Sequence, residues 1–445
     1  MRLNPSRDSL DVPKLLFLTS IMMAVFLYGT AVGRYNIFPF SMIQFAWGSV
    51  NQVFQERDTI LGLRPTLLLE EARHGGDGVT LFKQDAATPG LTLLGGFFDE
   101  DLGFRLIRLD GTTVNRWPAR FHEIFPDPSH VKPADRIPQT DWNAGVQGSR
   151  VFPDGSLVFN FEGLGLVKLD RCGAVQWTLP QMTHHSVDLA EGGGFWVPGT
   201  RYVDGPSVHP GIAPPYDEDT ILKVSPDGKI LQEISVLSLF FENRLEYLLF
   251  ANGLENIEVP EKQNLTHLND IEELKSDMAA HFPEFAAGDL LVSLRNYNLV
   301  MVVDPRTHKV KWYQTGPWLK QHDPDFRPNG TISVFNNRSD GTETGSILGG
   351  SNIMEVDPRS GSTRVRYGNK PNQKLFTKFR GKHQWLDKGH LLITEAHAGR
   401  VFEIDAQGRT VWEYVDRYDE ENVAIIAGAI RYPERYFTVK DWRCN

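Results

Sequence analysis

The strongest pattern in the chain is an uninterrupted apolar run. Residues 15–33, LLFLTSIMMAVFLYGTAVG, carry no charge, and as a helix they reach roughly 28 Å, about the depth of a hydrocarbon core. Arg2, Arg7 and Lys14 precede the run, and after Arg34 the next charge is Glu56. That asymmetry predicts a cytoplasmic N-terminus at the inner membrane, with the rest of the chain in the periplasm. A cleaved signal peptide is the competing reading, with Ala31-Val32-Gly33 as the cleavage site. The run exceeds the usual signal core of roughly 7–15 residues, which favours a retained anchor. Residues 1–34 are read as cytoplasmic tail and anchor, and 35–70 as a juxtamembrane linker. Within it, 40–58 set Met42, Ile43, Phe45 and Val53 against Gln44, Asn51, Gln52 and Gln55, as a helix lying at the membrane surface would.

From residue 71 onward the alternation becomes that of strands, and one unit recurs. A β-rich run ends in Asp or Ser, a turn follows, and a second run ends in an aromatic residue. The copies are FRLIRLDGTTVNRW (104–117), GLVKLDRCGAVQW (165–177), TILKVSPDGKILQEI (220–234), LVMVVDPRTHKVKW (299–312), NIMEVDPRSGSTRVRY (352–367) and RVFEIDAQGRTVWEY (400–414). Further strands precede the copies after turns, as in DGSLVF at 154–159 and KGHLLIT at 388–394. Four-stranded units at a spacing of roughly 40–60 residues predict an all-β, six-bladed β-propeller over 71–445. The longest unit contains HLNDIEELKSDMAAHFPEFAAG. Its Leu268, Ile271, Leu274 and Met278 have helical spacing, which predicts a helical insertion over about 261–287.

Composition narrows the class. Charged residues at 23% and hydrophobic residues at 41% exclude wholesale disorder. A net charge of -10 argues against a nucleic-acid partner. The two cysteines, Cys172 and Cys444, exclude a disulfide scaffold and a cysteine-based metal cluster. They are expected to be either bonded to each other or both buried.

In a propeller the innermost strand of each blade lines the channel, and the residues at its start ring one mouth. That ring reads Trp142 and Asn143, His184 and His185, His267 and Asn269, His322, and His383. Arg295, in SLRNYN, needs a partner or an aqueous channel. Singly, each histidine is a channel-lining group and Asn269 a helix cap. Together, three histidines, an asparagine and an arginine on one mouth make a site. Zinc held by three histidines is one chemistry, with Asp323 and Asp325 beside His322 as further ligands. No HxH or HExxH pair supports it, and Arg295 would sit badly beside a dication. An anion site for a sulfuryl or phosphoryl group is the other.

At these residues the chain resembles the bacterial arylsulfotransferases, six-bladed propellers that move a sulfuryl group between phenols without a nucleotide donor. HHSVDLAEGGGFWVPGTR (184–201) is similar to the family's first channel-histidine segment, with His185 matching. HLNDI (267–271) is similar to its H-x-N motif, LVSLRN (291–296) to its arginine strand, and QHDPDFRPNGTISVFNN (321–337) to its nucleophile segment. The resemblance implies His322 as nucleophile, His185 as acid and base, and Arg295, His267 and Asn269 as donors to developing charge. His184, His383, Trp142 and Trp196 would contact substrate, with Phe195 and Tyr202 as further aryl-stacking candidates. It also implies ping-pong transfer from an aryl sulfate to a phenol, with no cofactor, metal or nucleotide. The anchor, the insertion and the lack of a close-spaced cysteine pair depart from the family's pattern. A rival reading is a catalytically silent, membrane-anchored propeller that serves as a subunit or docking platform of a membrane-protein complex.

Overall fold

The computed structural model describes residues 12–35, 37–40, 42, 57–59, 61–251 and 264–444. The chain divides into two units, Met1–Leu67 and Leu68–Asn445. In the first, Val12–Tyr35 is a helix of 24 residues, about 36 Å long and sufficient to cross a bilayer core. Its large apolar side chains are exposed except for Val32, which is buried. The hydroxyls of Thr19, Ser20 and Thr30 each donate to the carbonyl one turn back at 2.8 Å, so they are satisfied within the helix. Among the described residues it is the one helix long and apolar enough to span a membrane, as an anchor or as a signal sequence. The helix expected over 40–58 lies almost wholly outside the described residues.

The second unit is a six-bladed β-propeller. Its second blade shows the pattern: Val146–Val151, Leu157–Phe161, Gly165–Leu169 and Val175–Leu179 pair antiparallel in chain order, from channel to rim. The innermost strands of the third to sixth blades are Asp188–Leu189, Leu268–Glu273, His322–Phe326 and Lys382–Trp385. The chain ends close the ring. Ile426–Tyr432 supplies the innermost strand of the first blade, beside Leu91–Phe98, and Gly78–Phe82 adds a fifth, outermost strand to the sixth.

All six sequence copies form the outer hairpins of blades, and a tryptophan in three of them has a common task. Trp117 Nε1 donates to the carbonyl of Asp170 (3.0 Å), Trp177 to Pro226 (3.1 Å) and Trp412 to Leu109 (2.8 Å). Each acceptor lies in the outer turn of the next blade around the ring. In the third blade Gln232 plays the same part toward Pro305 (2.6 Å). Trp117 and Trp412 are fully buried and Trp177 is half-buried; each latch satisfies a polar atom, a net gain of about 1 kcal/mol from the bond alone. Between blades the sheets interlock through rings such as Phe104 and Phe159, whose centroids lie 4.9 Å apart.

The helical expectation for 261–287 is overturned. Leu268–Glu273 is a strand, and a bulge between Leu268 and Asp270 inserts one residue. The extra residue puts Leu268 and Ile271 into one core cluster, while Leu274 packs into the neighbouring one. A spacing of three therefore arises from a bulged strand, not from a helical face. Downstream there is only a single turn, Ala279–His281. The helices of this blade pair lie upstream, at Val236–Glu242, capped by Ser235 Oγ, and at Glu246–Ala251. Cys172, in the outer turn of the second blade, is disulfide-bonded to Cys444, with Cα atoms 5.6 Å apart.

Candidate active site

The channel mouth is built from irregular backbone at the entrances of the innermost strands. Four of these strands carry a bulge near their start, including Leu268/Asp270 and His322/Asp325. Bulges at a rim turn side chains away from the alternation of the sheet. His185 and His267 both adopt φ 53°, in the left-handed region, at a cost of about 1–2 kcal/mol per residue. The fold holds His185 there from both sides. Its N–H donates to Gln147 Oε1 (2.5 Å), and its carbonyl accepts from Gly148 N–H (2.5 Å). A Cβ on Gly148 would overlap that carbonyl, so the approach requires glycine.

Three imidazoles from three blade entrances converge. The His185 ring lies 5.0 Å from that of His267 and 6.2 Å from that of His322. Their partners set the tautomers. Asn337 Nδ2 donates to the carbonyls of Thr377 (3.0 Å) and Arg380 (2.8 Å), so its Oδ1 faces His322 Nδ1 at 2.7 Å and accepts its proton. His322 Nε2 is left with a lone pair, which accepts from the Arg380 backbone N–H at 3.2 Å. Asn264 Nδ2 donates to His267 Nδ1 at 2.5 Å, which puts the His267 proton on Nε2. His322 thus offers a lone pair where His267 offers a donor.

Burial, and next the Arg295 guanidinium, push His322 down to about 3. Burial and the neighbouring imidazoles and Arg295 also hold His185 and His267 well below the usual histidine range. The three rings are neutral near pH 7. Burial lowers Arg295 to about 10, so it stays cationic, and its buried Nε has no hydrogen-bond partner. One guanidinium among neutral imidazoles is an environment for a monoanion. His185 and His267 open onto a cavity of about 180 Å³, also lined by Arg136, Glu162, Asp217 and Asp219.

The other expected residues divide. Asn269 is buried and donates to the carbonyl of Gln321 (2.7 Å), so it holds the backbone that carries His322. Gln321 itself is plugged into the fourth blade through Ser293 Oγ (3.0 Å) and Leu299 O (3.1 Å). His184 borders the cavity, but one ring nitrogen meets His185 and the other faces Asp219, so neither is open to a substrate. His383 points away from the imidazole cluster. Its ring is fully buried between Asp323 (3.0 Å) and Ser333 (2.8 Å), and it borders a separate acidic cavity of about 390 Å³. Asp323 and Asp325 turn toward His383, not His322, and Lys382 Nζ sits 2.7 Å from Asp323 Oδ1 as the local cation. Trp142 packs edge-on against Phe97 (5.8 Å) and donates to Glu100 O, and Trp196 is buried in the core of the third blade. Phe195 is likewise core, Asn143 bonds Thr140, and Tyr202 lies against Arg136. None of these aromatics lines the cavity.

Sequence reading found Arg295 but missed the second ring of polar residues to which it belongs. Glu162 and Asn337, like Arg295, directly follow the second strand of their blade, and His397 lies two places after the second strand of the sixth. The signal was there as a shared phase of the repeat. Arg380, which bridges to Glu162 at 2.6 Å, precedes the sixth blade.

The chain matches the profile of the family described as arylsulfotransferase (ASST) over residues 149–417, a stretch that contains His185, His267, Arg295 and His322. No curated protein matches it. Among solved structures, a protein of unknown function from Bacteroides caccae is similar with a TM-score of 0.49 and 15% identity, covering 78% of this chain and 100% of its own. Virginiamycin B lyase from Staphylococcus aureus is similar with a TM-score of 0.38 and 13% identity, covering 79% and 89%.

Proposed function

Since the chain belongs to the arylsulfotransferase family, we propose that it moves a sulfuryl group from an aryl sulfate to a phenol in two steps through His322. The observation that carries this reading is the His322 ring beside His185, kept neutral by burial and tautomerically fixed by Asn337, with an Nε2 lone pair held only by the Arg380 backbone N–H. In the donor step Nε2 releases the Arg380 N–H and attacks sulfur with the freed lone pair, the S–O(aryl) bond breaks, and the phenolate leaves with the electron pair. Nδ1 keeps its proton against Asn337, so the sulfated ring is an imidazolium bearing SO₃⁻, an activated leaving group. In the acceptor step the phenol oxygen attacks sulfur while His185 Nε2 takes its proton, and the S–N pair returns to His322. His185 then supplies that proton to the next departing phenolate, which balances the cycle. Arg295 and the His267 Nε2–H stabilise charge on the sulfuryl oxygens. Mass spectrometry after mixing with aryl sulfate alone should show a gain of one SO₃ on the peptide containing His322. Modification at another residue, or full activity in His322→Ala, would remove His322 from the mechanism.

The same reading puts the propeller in the periplasm behind an N-terminal anchor. The apolar Val12–Tyr35 helix, the basic residues before it and the Cys172–Cys444 bond, which needs an oxidising compartment, support it. Protease added to intact spheroplasts should digest the propeller, and full protection would overturn this orientation.

A further inference from the structure

We propose that Asp219 and His184 are positioning residues that fix the proton state of His185; the proposal rests on the sulfuryl-transfer reading above. Asp219, on strand Tyr216–Val224 of the third blade, is buried. Its Oδ2 accepts from Thr266 Oγ1 (2.5 Å) and from Leu268 N–H (2.8 Å), the residues on either side of His267. Its Oδ1 faces His184 Nε2 at 3.5 Å, and His184 Nδ1 lies 2.8 Å from His185 Nδ1. One carboxylate therefore both pins the backbone of His267 and orients the ring beside His185.

The order of protons along this line follows from the carboxylate. Asp219 already accepts from Thr266 and Leu268, and a carboxylate acting as acceptor toward His184 puts the His184 proton on Nε2. Nδ1 of His184 is then an acceptor, and the 2.8 Å contact requires the His185 proton on Nδ1. His185 Nε2 is left bare toward the mouth, on the atom that must receive the acceptor's proton. When it does, the positive charge on His185 is relayed through His184 toward Asp219. The other charged and titratable groups that face this pair are His267, His322 and Arg295 around His185, and Asp217 with Arg136 beside Asp219. None of them offers a second acceptor along the His184–His185 line among the contacts described. Without the carboxylate, His184 can carry its proton on Nδ1 instead. His185 would then accept at Nδ1 and hold its own proton on Nε2, the wrong atom for a base.

The test uses the full chain, one aryl sulfate donor and a series of phenol acceptors of rising pKa. Asp219→Asn and His184→Gln should each lower the rate of transfer to weakly acidic phenols by roughly 10–100-fold. In His184→Gln, which leaves the Asp219 bonds to Thr266 and Leu268 in place, transfer to nitrophenols already ionised at the assay pH should stay near wild type, because no proton has to be removed. An equal loss across the whole series in His184→Gln overturns the relay and leaves the role of His322 intact. A wild-type protein that takes up no sulfuryl group from any donor overturns both readings together. Nitrogen-15 NMR of histidine-labelled wild-type protein reads the tautomer without any variant. His185 should carry its proton on Nδ1, and a wild-type His185 protonated on Nε2 would overturn the proposal whether or not the variants fold.

Discussion

Asn337 ties the ring of His322 to the loop that covers it. Its Oδ1 accepts from His322 Nδ1 at 2.7 Å while its Nδ2 holds the carbonyls of Thr377 and Arg380. Arg380 in turn directs its own N–H at His322 Nε2. One amide thus fixes the ring on one side and the backbone donor that faces its lone pair on the other.

Replacing that amide is the cleanest probe of the tautomer. Asn337→Leu keeps the approximate volume and removes both functions. Sulfuryl transfer should fall by about 10–100-fold in kcat, with KM changed little, because the lost partner orients a reacting group and does not bind substrate. Steady-state kinetics on an aryl sulfate donor would show it. A rise in KM with unchanged kcat would contradict the role given to Asn337.

Arg295 is the one guanidinium placed against the imidazole cluster with a bare buried nitrogen. Arg295→Ala should lower kcat/KM by about 10²–10³-fold, the usual effect of removing a preorganised donor to developing charge. Arg295→Lys should recover only part of this, since a point charge replaces a planar fork. Inorganic sulfate should inhibit the wild type more strongly than Arg295→Ala, measured as a shift in inhibition constant.

Acid should destabilise the propeller through its buried histidines. The folded values of His322 and His397 are both pushed down to about 3, and those of His185 and His267 are also depressed. Above the unfolded value near 6.5 both states are neutral and stability is full. As pH falls from about 6.5 toward 3, the unfolded chain takes up protons that the folded chain refuses, so stability is lost. Asp416, raised to about 8 by burial, works in the opposite sense as pH rises. The difference between wild type and His322→Gln isolates one imidazole. Urea midpoints at pH 7, 5.5 and 4.5 should converge for the pair as pH falls, and parallel lines would refute the assignment.

The Cys172–Cys444 bond spans 272 residues, which on the chain-entropy scale is worth about 5 kcal/mol. Cys172→Ser should therefore lower the unfolding midpoint by more than any single latch tryptophan does. Calorimetry with and without reductant should give the wild type in reductant the same midpoint as the variant in either condition.

Much of this was legible in the sequence because the outer hairpins repeat with their turns and terminal aromatics in phase. Trp117, Trp177 and Trp412 mark the same position in three blades, and that regularity reveals the ring. The innermost strands were harder to read. Asp188–Leu189 has two residues, and Leu268–Glu273 is bulged, so neither shows a clean period of two. His185 and His267 were visible as histidines before strands, and their convergence followed from radial symmetry. The tautomers were not visible, because they depend on side-chain directions: Asn337 and Asp219 reach the site from other parts of the blades, and Asn264 folds back from three residues ahead of His267. Trp142 and Trp196 misled for a related reason: an aromatic near the mouth in sequence can turn into the blade.

The ring is completed by Ile426–Tyr432, which follows every other blade strand described. Until Ile426–Tyr432 is available, Leu91–Phe98 has an open edge toward the channel, and the first blade lacks the surface against which its neighbours settle. A chain synthesised from its N-terminus therefore holds every histidine of the mouth well before it holds the architecture that aligns them. Assembly of the site waits on that strand, and a chain cut before Ile426 should carry the full set of reactive groups in an inactive arrangement.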